Sequence, residues 1–209
     1  RDPVSSLTHA IGAVLSACGA VYLLAAGLLD PSIALPSLVG AIIFGLSLIA
    51  LYSASAVYHY VSDGAHRLLR LRKLDHAMIY VLIAGTYTPI TLTFLPPGHR
   101  FWFTAILWAV ALAGIVVKLF WLDAPRWLST SFYLLLGWAL LFDFKAFAGI
   151  PGGCLALVAA GGLSYTAGAV LYIIKRPNLS PAWGFHELFH LFILLGSFLH
   201  FLAVVLFIL

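Results

Sequence analysis

His186-Glu187-Leu188-Phe189-His190 places two imidazoles four residues apart in a stretch otherwise suited to lipid. Residues i and i+4 share one face of a helix, so both rings can address a single metal ion, as the histidines of the HExxH pattern do in zinc proteases. An ionisable side chain within a membrane segment is costly and is by default a candidate for a functional site. His59, Asp75 and Ser55 are the candidate partners. Three histidines plus one open position is a common catalytic zinc arrangement, in which the bound water has its pKa lowered to about 7 and becomes a usable nucleophile. His59, His186 and His190 could supply that set. Asp75 is then expected to hydrogen-bond the zinc water or take its proton. Ser55 lies one turn before His59 and could orient that ring or the water; its alternative role is packing between helices. Glu187 is rotated about 100° from His186 around the helix and is expected at headgroup level or in a supporting role, not as the general base.

The elements that must position these groups follow from composition. Apolar residues make up 63% of the chain and charged residues 9%, with a mean hydropathy of +1.08, which excludes a soluble globular domain. At about 20 apolar residues per span, 209 residues accommodate seven helices with short loops and no sizeable soluble domain. Proline, glycine and charge place these helices at roughly 5–29, 35–60, 74–95, 100–122, 127–148, 152–174 and 181–208. The expected fold is all-α, a single seven-transmembrane helix bundle over residues 1–209. Cys18 and Cys154 lie in apolar stretches and read as packing residues, since two isolated thiols make neither a disulfide framework nor a Cys-rich metal site. The first apolar run lacks the basic flank and cleavage site of a signal peptide, and no internal repeat is evident.

Charge sets the expected orientation. Arg1, Arg67, Arg70, Arg72, Lys73, Lys118, Arg126, Lys175 and Arg176 fall on one side of the bundle, leaving Arg100 and Lys145 for the other. The positive-inside rule places the N-terminus in the cytoplasm and the C-terminus outside, in a cell membrane for which the bacterial inner membrane is the expected location. The net charge of +4 is accounted for by this topology and by anionic headgroups, and gives no case for nucleic acid. In a seven-span chain, the end of helix two and the starts of helices three and seven share one membrane face. His59, Asp75, His186 and His190 are therefore expected at similar depth, near the cytoplasmic face. His9 begins a helix on the same side and reads as an interfacial residue beside Ser5 and Thr8, with contact to the cavity as the alternative; His76 reads as turned away from the site, His66 and His99 as loop residues, and His200 as too deep, about 15 Å beyond His190 along the helix. Trp102, Trp121, Trp127 and Trp183 fit an aromatic belt. Pro89 should kink helix three, and Ser180-Pro181 reads as the cap and first residue of helix seven.

Several longer runs carry a family resemblance. They are Asp2-Pro3-Val4-Ser5-Ser6-Leu7-Thr8-His9-Ala10-Ile11-Gly12, Ser55-Ala56-Val57-Tyr58-His59, Leu74-Asp75-His76-Ala77-Met78-Ile79-Tyr80, Gly85-Thr86-Tyr87-Thr88-Pro89, the His186–His190 run, and Gly196-Ser197-Phe198-Leu199-His200-Phe201. The chain resembles the progestin and adipoQ receptor family, and within it the bacterial hemolysin III branch. In the adiponectin receptors of that family, three histidines hold a zinc ion near the cytoplasmic face and an aspartate contacts its water. The matching positions are His59, His186, His190 and Asp75, with Ser55 at the Ser-x-x-x-His spacing. The resemblance implies a Zn2+-dependent, hydrolase-like site for lipid amides or esters, ceramidase-like, with roles in membrane lipid homeostasis or cytolysis. Hormone-receptor function is not expected, for want of a long N-terminal domain.

Three readings stand. The first is a zinc-dependent lipid hydrolase whose substrate acyl chain lies between helices. The second is a non-enzymatic receptor, lipid sensor or pore-former in which zinc only ties helices two and seven together. The third is an intramembrane metalloprotease. Spacing also leaves open a b-type haem between His59 and His190, whereas a retinal receptor is excluded because helix seven has no lysine. Membrane lipids are the expected partners, and oligomeric state is not encoded legibly.

Overall fold

The computed structural model describes residues 2–62 and 64–209. Among them are seven α-helices: α1 (Pro3–Leu29), α2 (Leu35–Tyr60), α3 (Ala65–Phe94), α4 (Pro97–Phe120), α5 (Arg126–Gly137), α6 (Gly152–Ile174) and α7 (Phe185–Phe207). The described residues contain no sheet, only an isolated bridge between Ser180 and Trp183. Proline fixes φ near the helical value and lacks an N–H that the first turn would leave unpaired. Accordingly Pro3, Pro36 and Pro97 open α1, α2 and α4, and Pro125 and Pro151 precede α5 and α6.

Six of the helices, of 23 to 30 residues, are long and apolar enough to cross a bilayer, which makes this a multi-pass membrane protein. The expected fifth span over 127–148 is not one continuous helix. α5 stops at Gly137, a 3-10 turn covers Ala139–Asp143, and irregular turns follow. The Tyr87 hydroxyl explains the break, since it donates to the Gly137 carbonyl (2.7 Å) and accepts from the Leu140 amide (3.1 Å), intruding into the helical ladder. A glycine at that point lowers helix propensity further.

Two other boundaries differ from expectation. α3 begins at Ala65 rather than 74, so Arg67, Arg70, Arg72 and Lys73 are helical and Asp75 lies well inside the helix. His66 and His99, expected in loops, sit in the first turns of α3 and α4. α7 begins at Phe185 rather than 181. Ser180 does not cap it: the Ser180 hydroxyl accepts the Trp183 amide (3.1 Å) in a preceding turn, and the Glu187 carboxylate accepts the Gly184 amide (2.8 Å) at the helix start. His186 therefore lies in the first turn of α7.

α1 to α4 pack as successive neighbours, α6 pairs with α7, and α7 returns against α1. Leu23, Phe44, Tyr52 and Leu107 belong to the shared apolar core. Small residues permit the close approaches that membrane helices favour. A Cβ on Gly40 would stand 2.6 Å from the Cα of Pro89, so α2 passes against the backbone of α3 where proline interrupts its hydrogen bonding. Gly161 and Gly196 do the same for α6 and α7, where a Cβ on either would lie within 3.1 Å of the other's carbonyl. Cys154 is buried in this core; Cys18, expected to pack inside, is exposed on α1.

Candidate metal centre

α2 ends and α7 begins at the same end of the bundle, and their histidines converge. His59, His186 and His190 each present a ring nitrogen such that all three lie within 4.8 Å of one another. The Nε2 atoms of His59 and His186 are 3.3 Å apart. Two ligands of a tetrahedral zinc with Zn–N near 2.0–2.1 Å are separated by about 3.3 Å, so this spacing already fits a shared ion. His59 and His190 are buried and His186 is half-buried. The His190 Nδ1 atom is buried with no hydrogen-bond partner, a state that is costly unless something else engages it. Three imidazoles with converging nitrogens form a donor set suited to a borderline transition metal.

The surroundings hold these rings in place. The Asp2 carboxylate lies 2.9 Å from His59 Nδ1, accepting its hydrogen and leaving Nε2 to face the other histidines. That carboxylate–histidine pairing is the usual way a protein fixes the tautomer of a metal-binding imidazole. His9 of α1 is buried and stacks on His190, with ring centroids 3.6 Å apart and planes at 10°. α7 packs back on α1 and encloses His9, which lines the cavity beside the histidines, as its alternative reading expects. Glu187 is engaged elsewhere: one carboxylate oxygen accepts the Ser5 hydroxyl (3.0 Å) and the other the Gly184 amide.

A cavity of about 430 Å³ opens beside the histidines, within the range of small-molecule sites, about 300–1,000 Å³. Its lining brings together all five residues singled out from the sequence: Ser55, His59, Asp75, His186 and His190. Near this cavity, Arg72 pairs with Asp123 at 3.0 Å and Lys73 donates to the Leu119 carbonyl at 2.5 Å. His76 also lines the cavity, contrary to the expectation that it turns away, since α3 faces the space with both neighbouring positions. Ile79, Ile83, Leu134 and Trp138 supply the apolar part of the wall. His200 lies apart from the three histidines; it bonds the Gly196 carbonyl of its own helix (2.7 Å) and stacks on Tyr165 of α6.

The chain matches the Haemolysin-III related family over residues 1–201. It belongs to that family. It is similar to the hemolysin-3 homolog of Bacillus subtilis, with 34% identity over 205 residues covering 98% of this chain and 92% of that protein. Hemolysin-3 of Bacillus cereus is 30% identical over 211 residues, covering 100% and 92% respectively. The human monocyte to macrophage differentiation factor is 28% identical over 172 residues, covering 78% of this chain and 67% of the factor. These likenesses bear out the hemolysin III branch of the progestin and adipoQ receptor superfamily.

Three residues of this haemolysin-III centre escape a reading by motif. Asp2 belongs to the N-terminal run but carries no signal of its own, since its role depends on the first turn of α1 meeting the end of α2. His9 follows Ser5 by one helical turn, so both lie on one face; that face is the one meeting His190 and Glu187. Lys118 reads as a margin charge of a loop, yet it is buried and lines the cavity.

Proposed function

We propose that this protein is a zinc-dependent hydrolase of lipid amides or esters, ceramidase-like, built as one seven-span domain with its metal centre near the cytoplasmic face. The observation that carries this reading is the convergence of three histidine nitrogens at the wall of a largely apolar cavity that Asp75 and Ser55 also line. His59, His186 and His190 would hold the zinc. Bound there, zinc supplies Lewis acidity and lowers the pKa of a water to about 7. Asp75 takes the proton of the attacking water and returns it to the leaving amine or alcohol, and Ser55 orients the attacking group. Asp2 keeps His59 in the tautomer that binds metal. The apolar walls take the acyl chain and keep bulk water from the reacting carbonyl.

The seventh crossing is α5 with its 3-10 extension. Twelve helical residues rise about 18 Å and five residues of 3-10 helix about 10 Å, together close to the hydrocarbon thickness of about 30 Å. The N-terminus then lies in the cytoplasm of a bacterial cell, because Arg67, Arg70, Arg72, Lys73, Lys175 and Arg176 gather at the histidine end. Arg1, which the same count uses, lies outside the described residues.

Elemental analysis of purified protein tests the metal, with about one zinc per chain expected. His59→Ala and His190→Ala should lose it, whereas His200→Ala should keep it. Asp75→Asn should retain zinc and abolish release of fatty acid from lipid amides. Zinc retained with no turnover of any lipid by the unaltered protein would leave the metal a structural tie between α2 and α7.

A further inference from the structure

His200 stands about 15 Å along α7 beyond His190 and has no part in the metal centre. It is buried, and its Nδ1–H donates to the Gly196 carbonyl of its own helix at 2.7 Å. One ring face stacks on Tyr165, with centroids 5.3 Å apart and planes at 13°. The Nδ1–Cε1 edge is pressed toward α6, where a Cβ on Gly161 would collide with both atoms. A neutral imidazole that donates through one nitrogen keeps a lone pair on the other. That nitrogen, Nε2, makes no hydrogen bond with a described residue and is not sealed inside the protein.

His200 borders a second cavity, of about 40 Å³. It adjoins the larger one, since Ile83, Gly137, Trp138, Gly162 and Tyr165 line both. Ile90, Leu140, Phe147, Ile150, Leu155 and Val158 make most of the remaining wall apolar. Its other polar groups are engaged: the Tyr87 hydroxyl with Gly137 and Leu140, the Tyr165 hydroxyl with Ser197, and the Thr86 hydroxyl with the Leu82 carbonyl. A single water needs about 10–15 Å³ and about two to four polar partners. The chamber thus holds the last few atoms of a chain and little more, and it offers a water one unspent nitrogen. A hydroxyl fixed to a chain needs only that one.

We propose that this chamber takes the far end of the ligand's acyl chain and that His200 Nε2 accepts a hydroxyl carried there, so that the protein selects a chain hydroxylated toward its methyl end. This rests on the lipid reading of the larger cavity, because the chain must reach the chamber past Ile83 and Trp138, but it requires neither zinc nor bond cleavage. Lipid tails and an apolar cavity offer a plain chain similar surroundings, whereas a hydroxyl in hydrocarbon is costly without a partner. Discrimination therefore comes from the hydroxyl.

Protein in phosphatidylcholine nanodiscs is titrated with stearate and with its isomers hydroxylated at mid-chain and near the methyl end, each affinity being corrected for partition into empty nanodiscs. The methyl-end isomer should bind about three- to tenfold more tightly than stearate, the gain that one hydrogen bond supplies. His200→Phe keeps a ring against Tyr165 and should abolish that gain while leaving stearate binding unchanged. Val158→Phe fills the chamber from α6 without altering His200; it should abolish the same gain and carries the test if His200→Phe does not fold. The proposal is overturned if stearate binds and the methyl-end isomer binds no more tightly, or if the gain survives either substitution in a folded protein. A preference for the mid-chain isomer over the methyl-end one overturns it as well. No binding of stearate or of either isomer would overturn it together with the lipid reading.

Discussion

Replacing Asp2 with alanine removes the carboxylate that accepts the His59 Nδ1 hydrogen at 2.9 Å while sparing the fold. Asp2 precedes α1, but its side chain makes no capping bond. Its backbone links, from its own amide to the His59 carbonyl (3.2 Å) and from the Ser6 amide to its carbonyl (2.9 Å), survive the substitution. Groups that orient a metal-binding histidine commonly contribute about 10- to 100-fold in metal affinity. The Asp2 side chain is 42% exposed, so solvent screens part of its charge and the lower end applies, about tenfold or 1.4 kcal/mol. Asp2→Asn keeps an acceptor oxygen but loses the charge, and should fall between the two. Zinc affinity measured by competition with a chromogenic chelator gives the number, and the melting temperature of the metal-free protein should not move. Asp2→Ala binding zinc as tightly as the unaltered protein, with His59→Ala abolishing binding, would refute the carboxylate–histidine role.

Glu187→Ala removes the acceptor for the Gly184 amide and the Ser5 hydroxyl, and should cost about 1–2 kcal/mol of stability with zinc content and turnover retained. Lost turnover at full zinc content would instead make the glutamate a general base, as the protease reading requires. Gly40→Ala drives a Cβ against the backbone of Pro89, which cannot rotate aside, and should cost about 2 kcal/mol, seen as a fall of about 4–8 °C in melting temperature. Gly98→Ala, with nothing near its Cβ, is the control and should leave the melting temperature unchanged.

How much was legible in the sequence differs by residue. His59, His186 and His190 were readable because helix periodicity and the parity of the spans both act along the chain, and those two rules suffice to bring the ends of α2 and α7 together. The starts of α3 and α7 depart from expectation because charge and proline do not by themselves mark a loop. In α3 the basic residues simply continue the helix past its apolar stretch, and before α7 the Ser180 hydroxyl closes a turn instead of capping a helix. The break in α5 was illegible for a stronger reason. It depends on the Tyr87 hydroxyl reaching a neighbouring helix fifty positions along the chain, and no local pattern encodes that reach. His9 and Lys118 belong to the same class, since burial of a polar side chain on an apolar helix is decided by which helix lies opposite.

The irregularity of α5 also shapes the cavity beside the histidines. A continuous helix at this position would run on past Gly137 with its carbonyl bonded within the helix; instead the chain tightens, and Trp138 turns its indole N–H to Thr166 of α6 at 3.0 Å. Gly137 and Trp138 then line the cavity from one side, while Ile79 and Ile83 of α3 line it from another. α5 packs only lightly on α3, α4 and α6, so its first turn can carry Arg126 and Ser129 toward the space without filling it. The histidines come from the firmly packed helices α2 and α7, where a metal site needs rigidity. Lys118 and Arg126 come from α4 and the lightly packed α5. One cavity therefore joins a wall of firmly packed helices, which carries the histidines, to a wall that includes the lightly packed α5, and the break at Gly137 lies on the second.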